Sequence, residues 1–242
     1  MEMLVDYKLD GGVATVTMDD GKANVMSVQM LQALNAAFDR AQADQAAVLL
    51  TGRPGMFSGG FDLAVFKCGP EEQFRMLELG ALLTERLLSF PLPVVVACTG
   101  HAVAMGAFLL LSADVRIGVD QGARIQVNEV QIGLTLPRFA IEVCRQRLSP
   151  AHLNIAAATA EPYSPQQAVA AGFLDEIVPA ETLARVARDR ATRLLTLHAE
   201  AFTATRLRLR RTALEALREA IRQDTLDWAS RIPKAWMNHL TP

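Results

Sequence analysis

Cysteine is scarce in this chain. Its 242 residues hold three, Cys68, Cys98 and Cys144, an odd number with no Cys-x-x-Cys pair and no zinc-ligand spacing. That excludes a disulfide framework and fits reduced thiols in the cytoplasm. The four histidines (His101, His152, His198 and His239) are scattered, and none stands at metal-ligand spacing from Asp, Glu or Cys. No metal is expected. Charge of one sign is also lacking: a formal net charge of −2 gives no global field for nucleic acid or acidic lipid. The glycine fingerprints of dinucleotide and nucleotide-triphosphate sites are missing. Ser58 is not in a hydrolase elbow, because Met56 stands where that motif needs its first glycine. No low-complexity segment, fixed-period repeat or Pro/Ser/Gly-rich linker divides the chain. Met1 to Asp10 is partly acidic with no long apolar run, unlike a signal peptide.

What is abundant is apolar residue, 51% of the chain, enough for a full core. At ~150 residues per domain, the length fits one large domain or two small ones. The run from Leu87 to Ala113 has no Asp, Glu, Lys or Arg. Roughly 20 apolar residues suffice to span a bilayer. Pro91 and Pro93 block a helix early in this run, Gly100-His101 interrupts its middle, and no basic cluster flanks it. It reads as the core of a soluble protein.

Within that run, Val94 to Ala97 reads as a buried strand, Cys98-Thr99-Gly100 as a turn, and Met105 onward as a helix ending before Asp114. A helix start carries free N–H groups and the positive end of the macrodipole. Small residues at Ala102, Ala104, Gly106 and Ala107 let another group approach that backbone. A second glycine loop, Phe57-Ser58-Gly59-Gly60-Phe61-Asp62, also follows a buried strand. Two such loops facing each other would offer two N–H groups to one carbonyl oxygen. Losing one such donor typically costs ~3 kcal/mol of barrier. The plainer reading is a packed strand-turn-helix.

Elsewhere the pattern alternates. Val13 to Thr17, after Gly11-Gly12, reads as a hairpin strand. Ser27 reads as the N-cap of a helix from Val28 to about Ala43. Val48 to Thr51 is a short buried strand, and Glu71 to Ser89 an amphipathic helix stopped at Phe90-Pro91. Val115 to Val119 and Arg124 to Val127 are strand-like. Pro137 to Leu148 and Ala151 to Thr159 read as helices. Pro165 to Ala171 is a helix capped by Gly172, and Asp175 to Val178 a last strand. Ala180 to Arg222 is mostly helix. This predicts an α/β core of βα or ββα units over residues 1–180 and a helical region over 181–242.

Six segments, in order, resemble the crotonase (enoyl-CoA hydratase/isomerase) superfamily. Phe57-Ser58-Gly59-Gly60-Phe61-Asp62-Leu63 is similar to its F-S-A-G-A-D-L, and Gly100 to Gly106 to its G-x-A-x-G-G-G. Ser112 to Ile117 resembles A-C-D-x-R-I. Asn128-Glu129-Val130-Gln131-Ile132-Gly133-Leu134 resembles P-E-V-x-I-G-L. Gly21 to Met26 resembles the K-x-N-A-L loop that lies along the CoA adenine. Ala170 to Asp175 resembles A-x-x-x-G-L-V-D. The pairing of the two glycine loops looks like a short branch usually named enoyl-CoA hydratase.

The resemblance implies a spiral of ββα units with an α-helical C-terminal region that covers the site and joins a homotrimer or dimer of trimers. It implies an acyl-CoA ligand, no cofactor beyond that coenzyme A, and a thioester oxygen held by the N–H groups of Phe61 and Met105. Substrate contacts would come from Ala23, Asn24 and Val25, from Gly59, Gly60, Asp62 and Leu63, and from Ala104, Gly106 and Phe108. Phe61 and Met105 are bulkier than the family's usual residues, which suggests a narrowed acyl pocket.

The carboxylates distinguish the reactions. The family's hydratases use two Glu. Glu129 matches one; the other falls at Phe108, one turn after Met105 and so on the same helix face. Phe108 transfers no proton. A dry site would raise the pKa of Glu129, which suits an acid/base. Three readings stand: a hydratase, an isomerase shifting a double bond through an enolate, and an acyl-CoA-binding protein. Water addition would need a further group, with Glu142 ahead of Asp62 and His101. His101 reads more simply as a ring satisfied by a backbone carbonyl, and Ser58 as a local backbone partner. Asp114 and Arg116 read as an ion pair. Arg206, Arg208, Arg210 and Arg211 read as a solvated helix face or as CoA-phosphate contacts, and Lys22 and Lys67 as other phosphate partners.

Overall fold

The computed structural model describes residues 4–230; His239 and the rest of 231–242 lie outside them. Strands β1 (Val5–Asp10) and β2 (Val13–Met18) form the expected hairpin, and β3 (Val25–Met26) follows. The Ser27 hydroxyl accepts from Met30 N at 3.1 Å and starts α1 (Val28–Ala43). Next come β4 (Ala47–Thr51), β5 (Gly55–Ser58), β6 (Gly60–Phe61), α2 (Pro70–Ser89) and β7 (Val94–Cys98). The turn expected after β7 opens into a further strand, β8 (Gly100–Val103), before α3 (Met105–Ser112). Then follow β9 (Val115–Val119), β10 (Ile125–Gln126), α4 (Arg138–Arg145), α5 (Pro150–Thr159), α6 (Pro165–Ala171) and β11 (Glu176–Val178). The helical tail is two helices, α7 (Ala180–Leu195) and α8 (Ala199–Ala229).

The main sheet runs β1-β2-β4-β7-β9-β11, parallel except for the β1–β2 pair. Parallel strands covered on both faces become continuous apolar runs, and all five residues of β7 are buried. Alternate residues serve two cores. Val48, Leu50, Val94 and Val96 face α1, α2 and α3. Leu49, Val95 and Ala97 face Leu183, Ala187 and Ala191 of α7. Residues past 180 thus complete the sheet's second face and do not form a detached layer. A second sheet, β10-β8-β5, and a third, β3-β6, carry the glycine loops. No helix among the described residues is long and apolar enough to cross a membrane.

Helix α8 is tied down by charge. The expected Asp114–Arg116 pair is not formed. Asp114 instead binds Arg206 at 2.7 Å and Arg210 at 2.9 Å, while Arg116 binds Asp175. Arg206 and Arg210 are buried, which corrects their reading as a solvated face or phosphate contact. Their four-residue spacing puts them on one side of α8. There they donate to the Phe90, Leu92 and Leu88 carbonyls at and just beyond the end of α2. Arg208 stays exposed and Arg211 pairs with Glu215. Removing one partner of a buried pair costs ~3–5 kcal/mol, because the other charge is left uncompensated. Urea unfolding of Asp114→Asn at pH 7 is expected to show a loss of about that size.

Candidate active site

Two loops meet behind the ends of β6 and β8, and one side chain holds the first of them. Asn24 is fully buried in a positive-φ conformation (φ 48°). Its Nδ2 donates to the carbonyls of Met18, Phe57 and Met56 at 3.0, 3.2 and 3.3 Å, and its Oδ1 accepts from Asp20 N at 3.0 Å. Burial works against the Asp20 carboxylate. The N–H groups of Asn24, Lys22 and Val25 outweigh it and hold the carboxyl below its ordinary value. Ala23 O accepts from Gly59 N at 2.7 Å, and Val25 pairs with Gly60. Ser58 Oγ donates to Asn24 O at 2.8 Å and accepts from Gly60 N at 3.1 Å, as its reading as a backbone partner expects.

This frame sets Gly60 against the start of α3. A Cβ on Gly60, which has φ +94°, would lie 2.7 Å from Ala104 Cβ and 3.5 Å from Met105 N. Gly106 is as tight against the Ser58 carbonyl. Met105 is the first residue of α3, so its N–H has no acceptor inside the helix. Asp62 N donates toward Met26 O on β3. Strand N–H groups alternate in direction, so that of Phe61 faces away from β3. The two loops therefore bring two backbone donors to one small region.

Register delivers the carboxylate. Ile125 and Gln126 pair with Ala102 and Val103, and Ala104 N donates to Gln126 O at 2.9 Å. Three residues on, Glu129 sits beside the α3 start. Its own carbonyl accepts from Ile132 N and Leu134 N, and Gly133 closes the turn at φ +79°. A cavity of about 640 Å³ opens here. Gly59, Phe61, Leu63, Ala104 and Glu129 all line it. Glu129 is 6% exposed, and burial, slightly offset by its own backbone N–H, pushes its pKa up to about 7. Among the described residues, nothing donates to its Oε2.

Other expected residues are not on the wall. Ala23, Asn24, Val25 and Gly60 build the frame behind it, and Asp62 caps a 3-10 turn by accepting from Ala64 N at 2.9 Å. Phe108 is a correction. It is fully buried, with its ring edge-to-face on Phe139 at 5.9 Å, and does not line the cavity. It does share a helix face with Met105, but all eight residues of α3 are buried and the cavity meets the helix at its end. The Met105 side chain is likewise in the core, so it narrows nothing. The Phe61 ring rests over Gly80, where a Cβ would come 2.5 Å from Cε1. Glu142 pairs with Arg145 at 3.3 Å outside the cavity. His101 Nδ1 accepts from the Arg124 N–H at 3.0 Å, so the ring's backbone partner is an N–H and not the expected carbonyl.

Sequence reasoning missed the far wall. Ile132, Leu136 and Ile141 supply apolar surface, and Asp224, Asp227 and Trp228 arrive from α8. Arg138 bridges the two Asp at 3.1 and 2.5 Å, and Asp224 also caps the start of α4 through Phe139 N at 2.9 Å. The expected cover over the site from residues 181–242 pointed to that region, and no pattern singled out these three within it. Asn128 also lines the cavity, at the position where the resemblance has proline. Among the described residues no group of three His, Cys, Asp or Glu could hold a metal ion.

A family model described as enoyl-CoA hydratase/isomerase matches residues 8–234. This chain belongs to the enoyl-CoA hydratase/isomerase family. It is an enzyme of the crotonase superfamily, similar to solved structures over more than nine-tenths of its length. A family protein of Pseudomonas syringae is 46% identical with a TM-score of 0.90, over 92% of this chain and 97% of that one. An enoyl-CoA isomerase of Mycobacterium tuberculosis is 41% identical with a TM-score of 0.90, over 96% and 100%. A Thermus thermophilus relative, named among the enoyl-CoA hydratases, is 37% identical over 142 residues, 56% of each chain. The match thus spans just over half the length of that relative. Family membership adds no second carboxylate at the α3 start, where the chain keeps Phe108.

Two predictions follow from this geometry. The folded pKa of Glu129, about 7, lies above its ordinary 4.5. Stability from holding that proton is therefore full below about pH 4.5 and lost as pH rises through 7. Glu129→Gln removes that loss. Denaturation curves should show the variant gaining up to about 3 kcal/mol on wild type between acid and alkaline pH. Gly60→Ala puts a methyl group before Met105 N. It should lower kcat by about 100-fold or more, the size of losing one oxyanion donor, measured on whichever enoyl thioester turns over.

Proposed function

We propose that this chain is an enoyl-CoA isomerase that moves a 3-enoyl-CoA double bond into conjugation with the thioester. The observation that carries the reading is Glu129, a buried carboxylate on the cavity wall that forms no ion pair among the described residues, with an aromatic residue at the family's other carboxylate position. Coenzyme A is part of the substrate and no separate cofactor is invoked. The substrate carbonyl oxygen accepts from Phe61 N and Met105 N. That polarises the thioester and makes the C2 proton acidic. Glu129, as carboxylate, takes that proton. The electron pair runs into the C2–C1 bond, and the oxyanion is held by the two donors. Glu129, now neutral, returns the proton to C4, and the double bond settles between C2 and C3. One carboxylate performs both transfers, and its pKa near 7 suits both directions. The apolar wall of Phe61, Leu63, Leu77, Ile132 and Ile141 excludes water from the enolate. The expected assembly is a homotrimer or a pair of trimers, checked by light scattering.

Water addition to a 2-enoyl-CoA is the second reading, favoured by relatives that carry hydratase names. Two readouts separate them: mass spectrometry detects a gained water, and ultraviolet absorbance detects a double bond moved into conjugation with the thioester. A 3-enoyl-CoA is expected to give a conjugated product of unchanged mass, with Glu129→Gln losing at least about a thousandfold in rate, as loss of an acid/base does. Gain of one water by a 2-enoyl-CoA, with the 3-enoyl-CoA left untouched, would make it a hydratase.

A further inference from the structure

Among the described residues, four charged side chains line the cavity. One is Glu129. The other three, Arg138, Asp224 and Asp227, stand together where α8 meets the first turn of α4. One cation and two carboxylates leave that group with an excess negative charge. The two carboxylates have different duties. Asp224 is buried, and it accepts from Phe139 N at 2.9 Å, from Arg138 N at 3.2 Å and from the Arg138 guanidinium. Those bonds hold the start of α4, so the fold accounts for Asp224. It does not account for Asp227, whose side chain is 53% exposed and, among the described residues, accepts from Arg138 alone. An exposed pair of this kind adds little to stability. Yet Asp227 lines the cavity, next to Trp228.

The proposed chemistry sets where the acyl tail runs. The carbonyl lies at Phe61 N and Met105 N, and Glu129 reaches C2 and C4. The chain beyond C4 therefore continues past Glu129. Helix α4 passes the same carboxylate: burial first, and then the charge of Glu129, push the Cys144 thiol up, which sets the two near each other. Arg138 opens that helix six positions before Cys144, about 9 Å away along the axis. The wall on the way is apolar, with Ile141 from α4 and Trp228 from α8. A medium-length alkyl tail is thus covered by carbon and ends against the three charges.

We infer that Asp227 is a specificity-determining residue: with Asp224 it outweighs the charge of Arg138, so that the cavity admits an uncharged acyl tail and turns away one that ends in a carboxylate. The inference rests on the acyl-CoA reading of the site, and not on which reaction follows binding. A carboxylate brought along this wall gives up water. It then meets two like charges and one opposite charge that is already shared. Selection of this kind works by repulsion of the wrong ligand, not by a closer fit to the right one. Asp227→Asn keeps the shape of the side chain and makes the group neutral. It also frees the outer side of Arg138 for a tail carboxylate.

Calorimetry on the full chain with saturated acyl-CoAs reads this without turnover. Decanoyl-CoA and decanedioyl-CoA carry the same number of carbons and differ at the tail end, a methyl group against a carboxylate. Wild type is expected to bind the second at least about a hundredfold more weakly, the size of a like-charge mismatch. Asp227→Asn should cut that ratio by about tenfold, as loss of one nearby charge does. A ratio taken within one variant cancels any general loosening of the fold, and melting temperatures confirm that each variant is folded. Asp189→Asn makes the same charge change on α7, in an exposed pair with Arg185 outside the cavity, and should leave the ratio as it is. Added salt should shrink the wild-type ratio, because this end of the cavity is half exposed. Equal binding of the two ligands by wild type would overturn the inference. So would a ratio that Asp227→Asn leaves unchanged, or one that Asp189→Asn lowers as much. If neither acyl-CoA binds, the reading of the site falls and takes this inference with it. If the ratios behave as expected while no 3-enoyl-CoA is isomerised, only the proposed reaction falls.

Discussion

The constraint on which this site depends is the contact of Gly60 with Ala104 and the start of α3. A Cβ at position 60 would overlap Ala104 Cβ at 2.7 Å, so the two loops meet only because one of them has no side chain. Everything around the contact serves to hold it. Asn24 fixes the loop before Gly60 through three carbonyls, and Ser58 locks the backbone on either side. Ala104 itself sits at φ 49°, ψ −119°, a conformation an L residue adopts at a cost of about 1–3 kcal/mol. The frame bears that strain, and it holds the start of α3 against the glycine loop at the edge of the cavity.

The second requirement is a dry carboxylate. Glu129 is placed by the β10–β8 register and buried by elements from three parts of the chain: its own turn, α4 and α8. Helix α8 is anchored far from the cavity, where Arg206 and Arg210 meet Asp114 below the main sheet. Trp228 reaches Phe139 at 6.3 Å, and Phe139 reaches Phe108. The aromatic residue that stands where hydratases have a carboxylate is thus part of the packing that supports the cavity wall. Charge deep in the core and acidity at the site are linked through one helix.

Much of this was legible in the chain. Ser27, the Gly11-Gly12 hairpin and Gly172 are local signals, and the structure uses them as local chemistry dictates. The two glycine loops and Glu129 were legible by pattern. What was not legible is tertiary. Phe108 shares a helix face with Met105, but no pattern tells that α3 meets the cavity with its end. Arg206 and Arg210 have the spacing of a surface stripe, and only the open carbonyls at the end of α2 reveal why they are buried. Asp224 and Trp228 lie about 95 residues beyond Glu129, and no periodicity connects them to it.

The central claim is that Phe61 N, Met105 N and Glu129 together remove a proton from the carbon next to a thioester. A saturated acyl-CoA in D₂O tests this without any double bond or water addition. The protein should exchange one C2 hydrogen for deuterium, read by mass spectrometry, and Glu129→Gln should not. Tight binding of the acyl-CoA with no exchange, or exchange that survives Glu129→Gln unchanged, would contradict the account.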